Sequence, residues 1–156
     1  GLDPLAERRA HAQKFGAHHT IDPADPAAQE QLAELTRGHG ADLVIEAVGS
    51  VETLNQSLQM ARPLGKVAVF GLPPTMERVP FDWDTFFRKR LDMHTVFGAQ
   101  DEPGLPAFQL AVDFIASGEI DMAPFVTHSI PITRVQEAFD LASSKEDGAL
   151  KVSLTF

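Results

Sequence analysis

Asp42-Leu43-Val44-Ile45-Glu46-Ala47-Val48 is a near-continuous apolar run, closed by Gly49. Such a run predicts a parallel strand covered on both faces, because a half-exposed strand alternates apolar with polar residues. Just upstream, Ala28, Leu32 and Leu35 recur at helical spacing and predict a helix that ends at Gly38. Just downstream, Val51, Leu54, Leu58 and Ala61 form the stripe of another helix. Lys66 to Phe70 is then a second buried strand, closed by Gly71. Leu72-Pro73-Pro74 opens a loop, Trp83, Phe86 and Phe87 pack a short helix, and Leu91 to Phe97 reads as a further strand.

The same alternation extends to both ends. Gly1-Leu2-Asp3-Pro4 reads as the last residues of a strand running into a helix over Pro4 to Phe15. Asp3 suits its N-cap, Pro4 its first position and Gly16 its stop. His18 to Ile21 is a short strand. Leu105, Phe108, Val112 and Ile115 make a long helix stopped by Gly118, and Pro124 to Ile132 is extended. Val135, Ala138, Phe139 and Ala142 make a last helix, and Leu150 to Phe156 a final strand. Strands alternating with helices specify a doubly wound parallel α/β sheet. The more irregular pattern after residues 98–104 places a domain boundary there.

The 156 residues carry 22 acidic and 13 basic side chains, for a net charge of −9. That balance excludes a nucleic-acid or anionic-membrane surface, which needs a basic patch. Arg88-Lys89-Arg90 is too short to supply one and reads as a solvated helix end. The absence of cysteine excludes disulfides and thiolate zinc sites within these residues. With no signal-like or membrane-spanning run, the expected setting is cytoplasmic, with neither nucleic acid nor membrane as partner.

Open α/β sheets bind ligands beyond the carboxyl ends of their strands. That rule selects Ala47-Val48-Gly49 and Phe70-Gly71-Leu72, where a glycine permits close backbone approach. Ordinary strand-to-loop turns would use glycine too. Asp3 is open to two readings, a helix cap or a carboxylate that holds both hydroxyls of an adenosine ribose and repels a 2′-phosphate. Arg8, a turn further on, is either solvated or beside that adenosine. Gly38-His39-Gly40 begins like a dinucleotide fingerprint, but Leu43 replaces the third glycine and a strand follows instead of preceding it. His18 and His19 are adjacent on a strand and point to opposite faces, so they offer no shared metal site. Glu46, inside an apolar strand, is the one acid whose pKa desolvation would raise, unless it is a hydrogen-bonded structural carboxylate. Lys151, entering the last strand, could reach a pyrophosphate as a point charge.

As an ordered set, several segments resemble the medium-chain, zinc-type alcohol dehydrogenases. They are Gly1-Leu2-Asp3-Pro4, Lys14-Phe15-Gly16-Ala17, Gly40 to Gly49 and Gly65-Lys66-Val67-Ala68-Val69-Phe70-Gly71, then Ser117-Gly118-Glu119-Ile120-Asp121, Val126-Thr127-His128, Glu137-Ala138-Phe139-Asp140 and Lys151-Val152-Ser153-Leu154. The stretch from Phe81 to Gly98 is most similar to the threonine and polyol branch.

The resemblance implies a partial Rossmann-type sheet lacking its first strand. Residues 1–98 would form the incomplete NAD-binding domain, and residues 99–156 the last helix region and a C-terminal return to the catalytic domain. It implies that Asp3 binds the adenosine ribose with Arg8 beside it, and that Ala47, Val48 and Gly49 line the adenine and ribose side. Phe70, Gly71 and Leu72 would meet the nicotinamide ribose and carboxamide, Val96 and Phe97 would close over the nicotinamide, and Lys151 would lie near the pyrophosphate. The implied activity is hydride transfer between NAD and a small alcohol or polyol, with zinc as Lewis acid. The family's zinc ligands and glycine fingerprint have no counterpart in these residues, so no catalytic or metal-binding residue is expected here and the chain alone is expected to be inactive. Without the family's first strand, His18 to Ile21 cannot pair with Asp42 to Val48, and apolar edges are left exposed. The resemblance also implies a homo-oligomer through the Leu91 to Phe97 strand. A non-enzymatic nucleotide-binding or dimerisation module, or a zinc-free quinone reductase relative, remain open at this point.

Overall fold

The computed structural model describes residues 1–73, 77–98, 102–144 and 147–156. Pro74 and the centre of the 98–104 boundary lie outside them. In chain order the elements are α1 (Ala6–Lys14), α2 (Ala28–Leu35), β1 (Ala41–Glu46), α3 (Val51–Met60), β2 (Ala61–Val69), α4 (Trp83–Lys89), β3 (Asp92–Thr95), α5 (Pro106–Ala116), β4 (Val126–Pro131), α6 (Val135–Ser144) and β5 (Lys151–Thr155), with short 3₁₀ turns on either side of β4. The α/β alternation and the parallel pairing are those expected for a doubly wound sheet. Among the described residues no helix is long and apolar enough to cross a membrane.

The chain divides into two compact units, Gly1–Ala24 with Glu102–Phe156, and Asp25–Asp101. Leu2 bridges Ile21 in parallel, which closes the first residues on themselves, and Phe15 stacks on Phe125 with centroids 4.1 Å apart.

In the unit Asp25–Asp101, β1, β2 and β3 lie in that order, all parallel. Glu46 is opposite Val69, and Val69 opposite Thr95. Parallel pairing brings all three carboxyl ends to one edge, which positions the site described below. Ser50 starts α3 by accepting the Thr53 N–H at 3.0 Å, and Asp82 starts α4 by accepting the Thr85 N–H at 3.1 Å. The core is Leu58, Ala61, Val67 and Leu91, joined by Val44, Val69, Phe81, Phe86 and Met93.

Two expectations are corrected here. Ala61 does not close the α3 stripe; it opens β2 and is only 1% exposed. Helical spacing and one further residue of strand look alike at a junction without a linker. Nor is β1 covered on both faces. Val44 packs into the core, so Leu43 and Ile45, at alternate positions, share the other face and are 52% and 63% exposed. The strand β1 pairs only with β2 among the described strands, so its outer edge is open, as the resemblance implied.

In the other unit, α1 begins two residues later than the Asp-Pro signal suggests. Asp3 Oδ1 accepts the Leu5 N–H at 2.8 Å, a local turn ahead of the helix, and Leu5 is the N-cap residue. Gly16 follows the last turn at φ +99°, as a helix stop requires. The expected strand over His18 to Ile21 is reduced to one bridge residue: Ile21 N–H donates to Gly1 C=O at 2.9 Å and Asp3 N–H to Ile21 C=O at 3.3 Å, while the Gly1 ammonium donates to His19 C=O at 2.7 Å. The strands β4 and β5 form a separate parallel pair, against which α6 packs.

Candidate functional site

The site is built from three strand exits. Beyond the carboxyl ends of β1, β2 and β3 lies a cleft of about 540 Å³, within the range usual for small-molecule sites. Gly49, Phe70, Gly71, Leu72, Val96 and Phe97 all line it. The third exit is tied to the second by a hydrogen bond from Val96 N–H to Val69 C=O at 2.8 Å. Phe70, Leu72, Val96 and Phe97 keep exposed apolar surface at the mouth. Flat aromatic and branched aliphatic groups of this kind suit the faces of a planar ring.

The two glycines have a role that their positions in sequence did not disclose. A Cβ on Gly71 would stand 2.1 Å from Gly49 N, and one on Gly49 would stand 2.1 Å from Leu72 O. Gly49 also has φ +88°, where L side chains are strained. The exits therefore touch backbone to backbone, and glycine is required by that mutual approach.

Glu46 lies beneath this contact and is 4% exposed. Its Oε1 accepts from Val48 N–H (2.9 Å), Gly49 N–H (2.8 Å) and the Thr53 hydroxyl (2.7 Å). Its backbone carbonyl accepts from Phe70 N–H (2.8 Å) and Gly71 N–H (2.9 Å). Burial pushes the carboxyl pKa up, but the donors of Gly49, Thr53, Val48 and Gly71 together outweigh it, and the net shift is downward. Of the two readings the sequence left open for Glu46, the hydrogen-bonded carboxylate is the one that holds: donors to the charged form win over desolvation. The sequence singled out Glu46 as a buried acid but did not assign it to the cleft, which it lines. The signal available was an acid inside an apolar strand, three positions before the glycine that ends its exit.

Ala47 and Val48 belong to the first exit but do not line the cleft. The remaining candidates lie in the other unit. Asp3 is half-buried, and Oδ1 is engaged with Leu5. Arg8 is half-buried on α1, and its Nε is buried without a hydrogen-bond partner among the described residues. The neighbouring Arg9 holds Asp3 C=O at 2.7 Å and Asp22 at 3.1 Å. Lys151 begins β5 with an exposed side chain. Among the described residues no group of three or more His, Asp or Glu side chains could hold a metal ion. His94 pairs with Asp92 at 2.9 Å, and His128 Nδ1 with the Thr127 hydroxyl at 2.9 Å.

Known proteins share this arrangement. A family profile described as zinc-binding dehydrogenase matches residues 1–117. The chain is 34% identical over 154 residues to the erythritol/L-threitol dehydrogenase of Mycolicibacterium smegmatis, covering 98% of this chain and 40% of that protein. It is 27% identical over 147 residues to the L-threonine 3-dehydrogenase of Pyrococcus abyssi, covering 94% of this chain and 41% of that one. An alcohol dehydrogenase structure from Thermus sp. ATN1 matches with a TM-score of 0.85 at 29% identity, over 99% of this chain and 43% of its own. The chain spans about two fifths of the length of the curated relatives it matches. Because the profile runs through both glycine-bearing exits, and a solved alcohol dehydrogenase shares the fold, this chain belongs to the zinc-binding dehydrogenase family, as the C-terminal portion of such a protein.

Proposed function

We propose that this chain is the coenzyme-binding part of an NAD-dependent, zinc-type dehydrogenase that transfers hydride between a small alcohol or polyol and nicotinamide. One observation carries the reading: three parallel strand exits border a single cleft of about 540 Å³ walled by apolar groups and backbone. Bound NAD would supply the hydride acceptor. Phe70, Gly71 and Leu72, with Val96 and Phe97, would border the nicotinamide end and exclude water from it. Ala47, Val48 and Gly49 would flank the adenine and ribose side. On the family resemblance, Asp3 with Arg8 would hold the adenosine ribose, and Lys151 would sit near the pyrophosphate. Residues 1–98 would then be the coenzyme domain, and residues 99–156 its last helix and the return toward the catalytic domain.

The described residues do not fit a zinc site, and the sequence has no cysteine. The 156 residues are therefore expected to bind coenzyme without turning over substrate. Titration with NADH and with NADPH, followed by calorimetry, tests this together with a turnover assay on alcohols and polyols. Saturable NADH binding is expected. Asp3→Asn should weaken it by about tenfold, the loss of a charged hydrogen bond, and narrow the preference over NADPH. Absence of saturable NADH binding would overturn the reading, and turnover by the isolated chain would overturn its inactivity.

A further inference from the structure

Glu46 gathers hydrogen-bond donors from two strand exits and a helix. One residue collects five. Three reach Oε1, two of them from the exit of β1 and one from the first turn of α3; two reach its carbonyl from the exit of β2. Its second oxygen, Oε2, is buried and has no hydrogen-bond partner among the described residues. It lies under Gly71, where an added Cβ would stand 2.6 Å away. A neutral amide could keep its oxygen on the three donors, but it would lose their charge assistance and place an NH₂ group in the buried Oε2 position, where no acceptor meets it among the described residues. An ionised carboxylate makes charge-assisted bonds, about twice as strong as neutral ones, and so fixes the exits more firmly.

We propose that Glu46 is the positioning residue of the cleft: its carboxylate fixes the Ala47–Gly49 exit and the first turn of α3, and so sets the backbone surface on which the Phe70–Leu72 exit packs, at the spacing a dinucleotide requires. This rests on the reading of the cleft as a nucleotide site. Glu46 lines the cleft but is only 4% exposed, and its Oε1 is engaged by the protein's own donors, so its role is to hold the wall in place. It acts through the backbone of Gly49, on which Gly71 packs with no room for a Cβ. Binding sites lose affinity steeply when their supporting shell lets the first contacts drift by about 0.5 Å. The carboxylate should therefore be felt in ligand affinity as well as in stability.

The test compares wild type, Glu46→Gln, Glu46→Ala and Thr53→Val. NADH dissociation constants are measured by calorimetry, and amide spectra by ¹H–¹⁵N NMR on the same samples. A positioning role predicts a graded series. Affinity should fall by about threefold for Glu46→Gln and Thr53→Val, and by about tenfold or more for Glu46→Ala. The Val48 and Gly49 amide protons should move upfield as the charged acceptor is lost, while the amides of α4 and β3 stay native. If Glu46→Ala does not fold, Glu46→Gln and Thr53→Val decide the matter, since each keeps the side chain's volume. Unchanged NADH affinity in folded variants with shifted Gly49 amides would overturn the proposal and leave Glu46 purely structural. Failure of the wild type to bind NADH would instead sink the reading of the cleft, and this inference with it.

Discussion

A methyl group at position 71 has no room, since it would meet Gly49 N at 2.1 Å, and backbone cannot swing aside as a side chain can. Gly71→Ala is therefore expected to destabilise the fold by about 2 kcal/mol or more, through forced separation of the two exits. Gly118 provides the contrast. It has φ +78° but nothing within 4 Å of an added Cβ, so Gly118→Ala should cost only the left-handed strain, about 1–2 kcal/mol. Urea unfolding of both variants checks the difference, with a further distinction that only Gly71→Ala should weaken NADH binding. Equal effects on both properties would remove the case for contact between the exits. At this scale the sequence marked the right glycines for an incomplete reason. It showed glycines where strands leave the sheet, but the atom each one avoids belongs to a residue more than twenty positions away. Glu46 illustrates the same limit. Its acid within an apolar run was visible, yet the sign of its pKa shift depends on donors gathered from two loops and a helix.

Lys89 shows how elements are joined. Its Nζ donates to the carbonyls of Leu58 (3.2 Å), Gln59 (2.6 Å) and Ala61 (2.8 Å), so the last turn of α4 satisfies carbonyls that α3 leaves open as it passes into β2. Burial lowers its pKa, and the charge of Asp82 partly opposes that. Lys89→Met keeps the aliphatic stem and removes the donor, leaving part-buried carbonyls unpaired. The expected cost is about 1–3 kcal/mol, read as a drop in the urea midpoint at unchanged slope. A loss within error would mean that water satisfies these carbonyls equally well. Read from sequence alone, Arg88-Lys89-Arg90 is a solvated helix end. That holds for Arg88, whose partner is Asp84 on the same exposed face at 2.7 Å, but not for Lys89, whose stem crosses to another helix. The order and type of the elements were legible because hydrophobic period and glycine stops agree along most of the chain. Their joints were less so. At Asp3-Pro4 a local turn competes with the cap, and at Ala61 helix passes into strand without a linker.

Across the whole chain, what remains unpaired is as informative as what is packed. Among the described residues the three-stranded sheet has two open edges. In β1 the Glu46 carbonyl faces β2, so the backbone groups of Leu43 and Ile45 face away; in β3 the Val96 N–H faces β2, so those of Met93 and Thr95 face away. The apolar face of β1 could not have been foreseen from composition, because its run of residues has the pattern of a strand enclosed on both sides. Open edges of this kind recruit further strands. The family resemblance favours β3 as the edge used by a second copy, extending the sheet across a two-fold axis. If so, light scattering should show mass rising with concentration toward a dimer, and amide exchange at Met93 and Thr95 should slow in step with it. Slowing at Leu43 and Ile45 instead would identify β1 as the contact, which is open-ended and apolar and so would give larger aggregates. A particle that stays monomeric at every concentration would show that neither edge recruits a partner, and that twist and solvation alone keep both strands unpaired.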